Sequence, residues 1–123
     1  MPLTGLVVED EGLLRFELVE ELGAAGWRMR EAANGEEALR LLTQTRARGE
    51  KIDFLVTDIR LGGAVDGWQV AEVCRNAWPG LPVIYVSANP IAPDRKVAGS
   101  MFLSKPVDVE SLIVSCRMLI AAR

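Results

Sequence analysis

The chain has 123 residues, half of them apolar, which suffices for one domain with a sizeable core. Its formal net charge of -3 argues against a surface built to neutralise a nucleic-acid backbone, which collects Lys and Arg in excess. No histidine occurs, so Ser-His-Asp and Cys-His catalysis and all His-containing metal sites are excluded.

Leu3 to Val8 is a short apolar run that ends in acids and predicts a buried first strand. Glu11 to Ala25 places Leu14, Leu18, Leu22 and Ala25 on one helical stripe, closed by Gly26 as a left-handed cap. Trp27 to Ala32 alternates as a second strand, at an edge. Asn34, with Glu37 three residues on, marks a second helix whose inner face is Ala38, Leu41 and Leu42. Ile52 to Thr57 is a third apolar strand with Asp58 at its end. The loop Gly62-Gly63-Ala64-Val65-Asp66-Gly67 leads into a third helix from Trp68 to Ala77, ended by Trp78-Pro79-Gly80. Val83 to Val86 and Met101 to Leu103 are the fourth and fifth strands. Asp108 caps a final helix carrying Leu112, Ile113, Cys116, Leu119 and Ile120.

Buried strands alternating with amphipathic helices predict an α/β, doubly wound parallel sheet with helices on both faces. Cys74 and Cys116 lie inside apolar segments without CxxC spacing and read as buried thiols in a reducing compartment. The opening residues form no export signal, and no apolar run reaches the roughly 20 residues that span a bilayer. A cytoplasmic protein with no membrane contact is expected. Arg46, Arg48 and Lys51 read as solvated surface, so no direct nucleic-acid partner is expected.

In such a sheet chemistry gathers at the carboxyl ends of the strands. Strand one delivers Glu9 and Asp10 there, strand three Asp58, strand four Ser87 and Ala88, and strand five Lys105 and Pro106. Three carboxylates together repel unless a cation sits among them. An all-oxygen donor set suits a hard ion, Mg²⁺ or Mn²⁺. Such an ion and Lys105 can neutralise a phosphoryl group in transfer, and a carboxylate can take it covalently. Asp58, alone on the central strand, is best placed to do so. Taken singly, each residue has a plainer reading: helix-dipole acids, a loop carboxylate, a turn hydroxyl, a surface lysine. Their joint occurrence at four strand ends favours the site.

Leu6-Val7-Val8-Glu9-Asp10-Glu11, Val56-Thr57-Asp58-Ile59-Arg60-Leu61 with Asp66-Gly67, Val86-Ser87-Ala88 and Phe102-Leu103-Ser104-Lys105-Pro106 resemble the four signature stretches of response-regulator receiver domains. The resemblance covers essentially the whole chain, 1–123. It implies a flavodoxin-like five-stranded sheet of order 2-1-3-4-5. It implies Asp58 as phosphoacceptor, with Mg²⁺ held by Glu9, Asp10, Asp58 and the backbone carbonyl of Arg60. Lys105, Ser87 and the Ala88 amide would meet the phosphoryl oxygens. Phe102 matches the aromatic switch position, with plain core packing as the other reading.

Three positions depart from the family pattern. Gly62 stands where many relatives have proline, which allows a looser loop. Glu9 replaces the commoner aspartate. Asn89-Pro90-Ile91-Ala92-Pro93-Asp94-Arg95-Lys96 is short and holds two prolines, so the family's fourth helix is expected to be short or absent.

The function implied is a phosphorelay switch, not a turnover enzyme, charged by a histidine kinase or histidine phosphotransfer protein. It would be a monomer or a phosphorylation-dependent dimer. Leu13 and Phe16, off the core stripe of the first helix, suit docking of a helical donor, with Pro106 beside them; a wide buried helix face is the other reading. A stand-alone regulator is expected, with the receiver fragment of a larger regulator or hybrid kinase as the alternative. A pseudo-receiver would lack one of the key residues, and none is missing. An aspartyl phosphatase would place a carboxylate where Arg60 stands. A dinucleotide fold fails because Glu-Asp-Glu-Gly after strand one offers negative charge where phosphate needs amides.

Overall fold

The computed structural model describes residues 2–88 and 94–123. Its elements are β1 (Thr4–Val8), α1 (Gly12–Ala24), β2 (Arg28–Ala32), α2 (Gly35–Ala47), β3 (Phe54–Asp58), α3 (Gly67–Ala77), β4 (Val83–Ser87), β5 (Met101–Ser104) and α4 (Val109–Ala122). The strands form one sheet in the order β2-β1-β3-β4-β5, every neighbouring pair parallel. This is the expected architecture, with β2 at an edge.

Successive strand residues point to opposite faces, and each face is apolar. Leu6, Val8, Leu55, Val83 and Tyr85 pack with Ala38 and Leu42 of α2 and Val70, Ala71 and Cys74 of α3. Val7, Phe54, Val56, Ile84 and Val86 pack with Leu18 and Leu22 of α1 and Leu112 and Cys116 of α4. Burial on both sides explains why β1, β3 and β4 read as continuous apolar runs. Cys74 and Cys116 are buried free thiols in opposite layers.

The caps show where local rules hold and where they yield. Gly26 takes φ +112 after α1, as expected of a left-handed cap. The Asn34 side chain accepts the Glu37 amide at 2.8 Å, but the Glu37 carboxylate reaches past Asn34 to the Ala33 amide at 3.2 Å. At α3, Asp66 and Gln69 form a full reciprocal capping box that the sequence reading did not identify. Asp108 requires a correction. It occupies the first flanking position of α4, but its carboxylate makes no cap bond and instead accepts the Ser111 hydroxyl at 2.6 Å. A hydroxyl one turn away competes for the same oxygen.

Between β4 and β5 the described residues, 94–100, form turns and bends and no helix. The buried hydroxyl of Tyr85 accepts the Val97 amide at 3.1 Å and ties this segment to the core. Asn89 and Ile91, with Ala92 and the two prolines Pro90 and Pro93 used to argue for a reduced helix, lie outside the described residues. Among the described residues no helix is long and apolar enough to cross a membrane.

Candidate functional site

Strand register brings the predicted residues together. Val8 lies opposite Thr57, Asp58 opposite Val86, and Ser87 opposite Ser104. The residues that continue or end these strands, Glu9, Asp58, Ser87 and Lys105, therefore share one edge of the sheet. The Lys105 amide donates to the Ser87 carbonyl at 3.0 Å, extending the β4–β5 pairing by one residue.

Asp58 is 6% exposed. Its Oδ1 accepts the amides of Ile59 at 2.6 Å and Arg60 at 3.3 Å, and its Oδ2 accepts the Lys105 ammonium at 2.7 Å. Glu9 is fully buried, and its Oε2 accepts the Glu11 amide at 3.0 Å. Its Oε1 lies 2.9 Å from Lys105 Nζ but off the hydrogen-bonding direction, so this buried oxygen has an ion-pair partner and no directed hydrogen bond. Asp10 is exposed at the mouth. One carboxylate oxygen from each of Glu9, Asp10 and Asp58 lies within 4.8 Å of the other two.

Burial pushes the Glu9 carboxyl up. The Lys105 ammonium and the Glu11 amide oppose this, Asp10 and Asp58 add to it, and the net shift is upward. Burial alone would pull the Lys105 ammonium down, but Asp58 and Glu9 outweigh it and the net shift is again upward. One partly buried ammonium thus pairs with two of the three clustered carboxylates, Asp58 and Glu9. A hard divalent cation fits this cluster: the donors are all oxygen, they converge, and a buried Glu9 oxygen lacks a directed hydrogen bond.

The other predicted residues take definite places. Ser87 is buried at the end of β4, and Ala88 follows in an exposed bend. Phe102, opposite Tyr85 on β5, is half-buried against the core. Arg60 is exposed, with its amide on Asp58. Leu13 and Phe16 are 84% and 64% exposed, so a wide buried face does not account for them. Pro106 is exposed and follows a cis peptide bond from Lys105. Gly62 takes φ +74, which proline cannot adopt, so the loop after Asp58 follows a path closed to a proline at this position.

Two residues around the site escaped the sequence reading. Arg15 Nη1 donates to the Glu9 carbonyl at 2.8 Å while its Nε pairs with Glu31 Oε1 at 3.1 Å. A cation one helical turn after an acidic pair is a weak sequence signal for such a brace. Glu36 accepts the Ala64 amide at 3.1 Å, across 28 residues, and nothing local announces it.

Residues 6–117 match the family model of the response regulator receiver domain, and the chain belongs to that family. It is 35% identical to the transcriptional regulatory protein GlrR of Escherichia coli (strain K12) over 111 residues, 87% of this chain and 23% of that protein. It is 30% identical to the probable transcriptional regulatory protein TcrX of Mycobacterium tuberculosis, over 97% of this chain and 50% of that one. The chain thus spans half or less of these curated relatives. A response regulator receiver protein from Sinorhizobium medicae WSM419 superposes with a TM-score of 0.91 at 32% identity, covering 98% of this chain and 96% of that one. The receiver domain of the hybrid histidine kinase CckA gives a TM-score of 0.80 at 30% identity, over 95% and 98%. Receiver domains are signalling phosphoacceptor modules of two-component systems that interact with histidine kinases or phosphotransfer proteins.

Proposed function

We propose that the chain is a phosphorelay switch that takes a phosphoryl group onto Asp58 from a phosphohistidine of a kinase or phosphotransfer protein. One observation carries the reading: the carboxylates of Glu9, Asp10 and Asp58 converge beside the ammonium of Lys105 at the carboxyl edge of the sheet. In the transfer an Asp58 carboxylate oxygen bonds to phosphorus as the phosphorus–nitrogen bond breaks, and the departing imidazole takes a proton on the nitrogen it frees. The Ile59 and Arg60 amides and Lys105 hold the carboxylate for attack, and Lys105 then pairs with the phosphoryl oxygens.

Glu9, Asp10, Asp58 and the Arg60 carbonyl would hold Mg²⁺, or Mn²⁺ in its place. When bound, the ion neutralises charge on the phosphoryl oxygens. The Ser87 hydroxyl and the Ala88 amide then close on the new phosphate, with the half-buried Phe102 ring in position to follow them. The exposed Leu13 and Phe16, with Pro106, form the surface on which the donor docks. The receiver unit takes in the whole of residues 1–123 and works in the cytoplasm.

Incubation with acetyl phosphate and Mg²⁺, followed by intact mass, tests the reading. The expected result is one added phosphate, lost with Asp58→Asn and lost without divalent metal. Unphosphorylated wild-type protein, or labelling that survives Asp58→Asn, would overturn it.

A further inference from the structure

The loop between β3 and α3 carries Arg60 and runs past Asp10 to the Asp66 cap. Its far side rests on α2. Glu36, in the first turn of α2, points a half-buried carboxylate at the loop, and Oε2 accepts the Ala64 amide at 3.1 Å. The Glu36 amide itself, then the loop amides of Ala64 and, more weakly, Val65, hold this carboxyl below the usual carboxylate range against an opposing effect of burial. The loop is shaped to receive it. A Cβ on Gly63 would lie 2.7 Å from both Glu36 carboxylate oxygens, so a side chain there would displace the carboxylate from its present place. Gly62 turns with φ +74 immediately before, on the side facing Asp10. The Gly67 amide closes the loop on the Ile59 carbonyl at 2.8 Å.

The loop therefore has a carboxylate on each side: Asp10 toward the cation cluster and Glu36 away from it. We infer that Glu36 is a positioning residue for the metal site, clasping the β3–α3 loop so that the segment holding Arg60 is fixed before a cation arrives. This rests on the proposed function of the acidic cluster, but concerns a residue outside it. A partner of this kind acts by sparing the site the cost of ordering its own ligands, and such partners typically change metal affinity by about 10–100-fold.

The test compares wild-type protein with Glu36→Ala, Glu36→Gln and Gly63→Ala. Magnesium chloride titration by calorimetry reads affinity, and amide hydrogen exchange of residues 62–66 in EDTA reads the loop without metal. Glu36→Ala is expected to weaken Mg²⁺ binding about tenfold and to speed exchange at Ala64 at least as much. Glu36→Gln keeps an acceptor oxygen and restores most of both. Gly63→Ala pushes the carboxylate away and reproduces the loss from the other side, which keeps the test decisive should Glu36→Ala fold poorly. Phosphorylation by acetyl phosphate should slow in Glu36→Ala at low Mg²⁺ and recover at saturation. Mg²⁺ affinity and loop exchange unchanged in Glu36→Ala, with wild-type protein binding the metal, would overturn this inference alone. Wild-type protein that binds no Mg²⁺ would overturn the parent reading and this one with it.

Discussion

Lys105 and Asp58 meet at 2.7 Å across the width of β4, although they stand 47 positions apart in the chain. The same ammonium stands 2.9 Å from Glu9, so one cation from β5 serves carboxylates delivered by β1 and β3. Replacing Lys105 with Met keeps the stem and removes the charge. A charge-assisted hydrogen bond contributes about 1.5–3 kcal/mol, and its loss in the transfer step should slow labelling by acetyl phosphate roughly 10–100-fold. Intact-mass time courses at saturating Mg²⁺ measure this, and a wild-type rate in Lys105→Met would remove Lys105 from the mechanism.

Leu13 and Phe16 lie three residues apart as neighbours on an outer face of α1, the helix that begins two residues after the acidic pair. Burying such a pair under a helical partner supplies association energy that a small phosphodonor never uses. The double Ala variant should lose at least tenfold in transfer rate from a cognate phosphohistidine protein and stay within twofold of wild type with acetyl phosphate. Equal slowing with both donors would discard the docking surface.

Burial pushes the thiols of Cys74 and Cys116 up to about 12. In the unfolded chain a thiol titrates near about 8.5, so above that pH the folded state keeps protons that the unfolded state releases. The contribution is complete below about pH 8.5 and is lost as pH rises toward about 12. Between about pH 9 and 10 each thiol should lower the unfolding free energy by about 1 kcal/mol. Urea unfolding across this range measures the slope. Cys116→Ala should make it shallower by about that amount, and an unchanged slope would mean the thiol is not held protonated.

The strands were legible because β1, β3 and β4 are buried on both faces, and a continuous apolar run is the signature of that burial. The candidate site was legible for a related reason: where an apolar run stops at Glu9, Asp58 or Ser87, the apolar layers give way to a buried polar edge at the carboxyl end of the strand. Contacts made across the fold left no such trace. Asp53 is one acid among apolar neighbours in the sequence, and in the fold it is a buried anchor. Glu36 stands in the first turn of α2 with no local mark of its role, yet it holds a loop 28 residues away. Asp108 carried a local cap signal that a neighbouring hydroxyl overrode. Periodicity reports which face a residue occupies, not which distant group shares that face.

Asp53 gives the last prediction. It precedes β3 at the end opposite Asp58 and is buried. Its Oδ2 accepts the Thr4 amide at 2.8 Å, while Lys51 and Arg123 stand 3.5 and 3.8 Å from Oδ1. Arg123 also donates to the Asp53 carbonyl at 3.1 Å, so the start of β1, the start of β3 and the end of α4 meet at one residue. Asp53→Ala strands the partly buried Thr4 amide as well as removing the charge, and should cost about 2–3 kcal/mol. Asp53→Asn keeps an acceptor for Thr4 and should cost about 1 kcal/mol. Arg123 is partly exposed, so Arg123→Ala should cost less than about 1 kcal/mol. Urea unfolding of the three variants would rank them in that order, with acetyl phosphate labelling unchanged in all. Arg123→Ala as costly as Asp53→Ala would place the anchor in the ion pair and not in the hydrogen bond to β1.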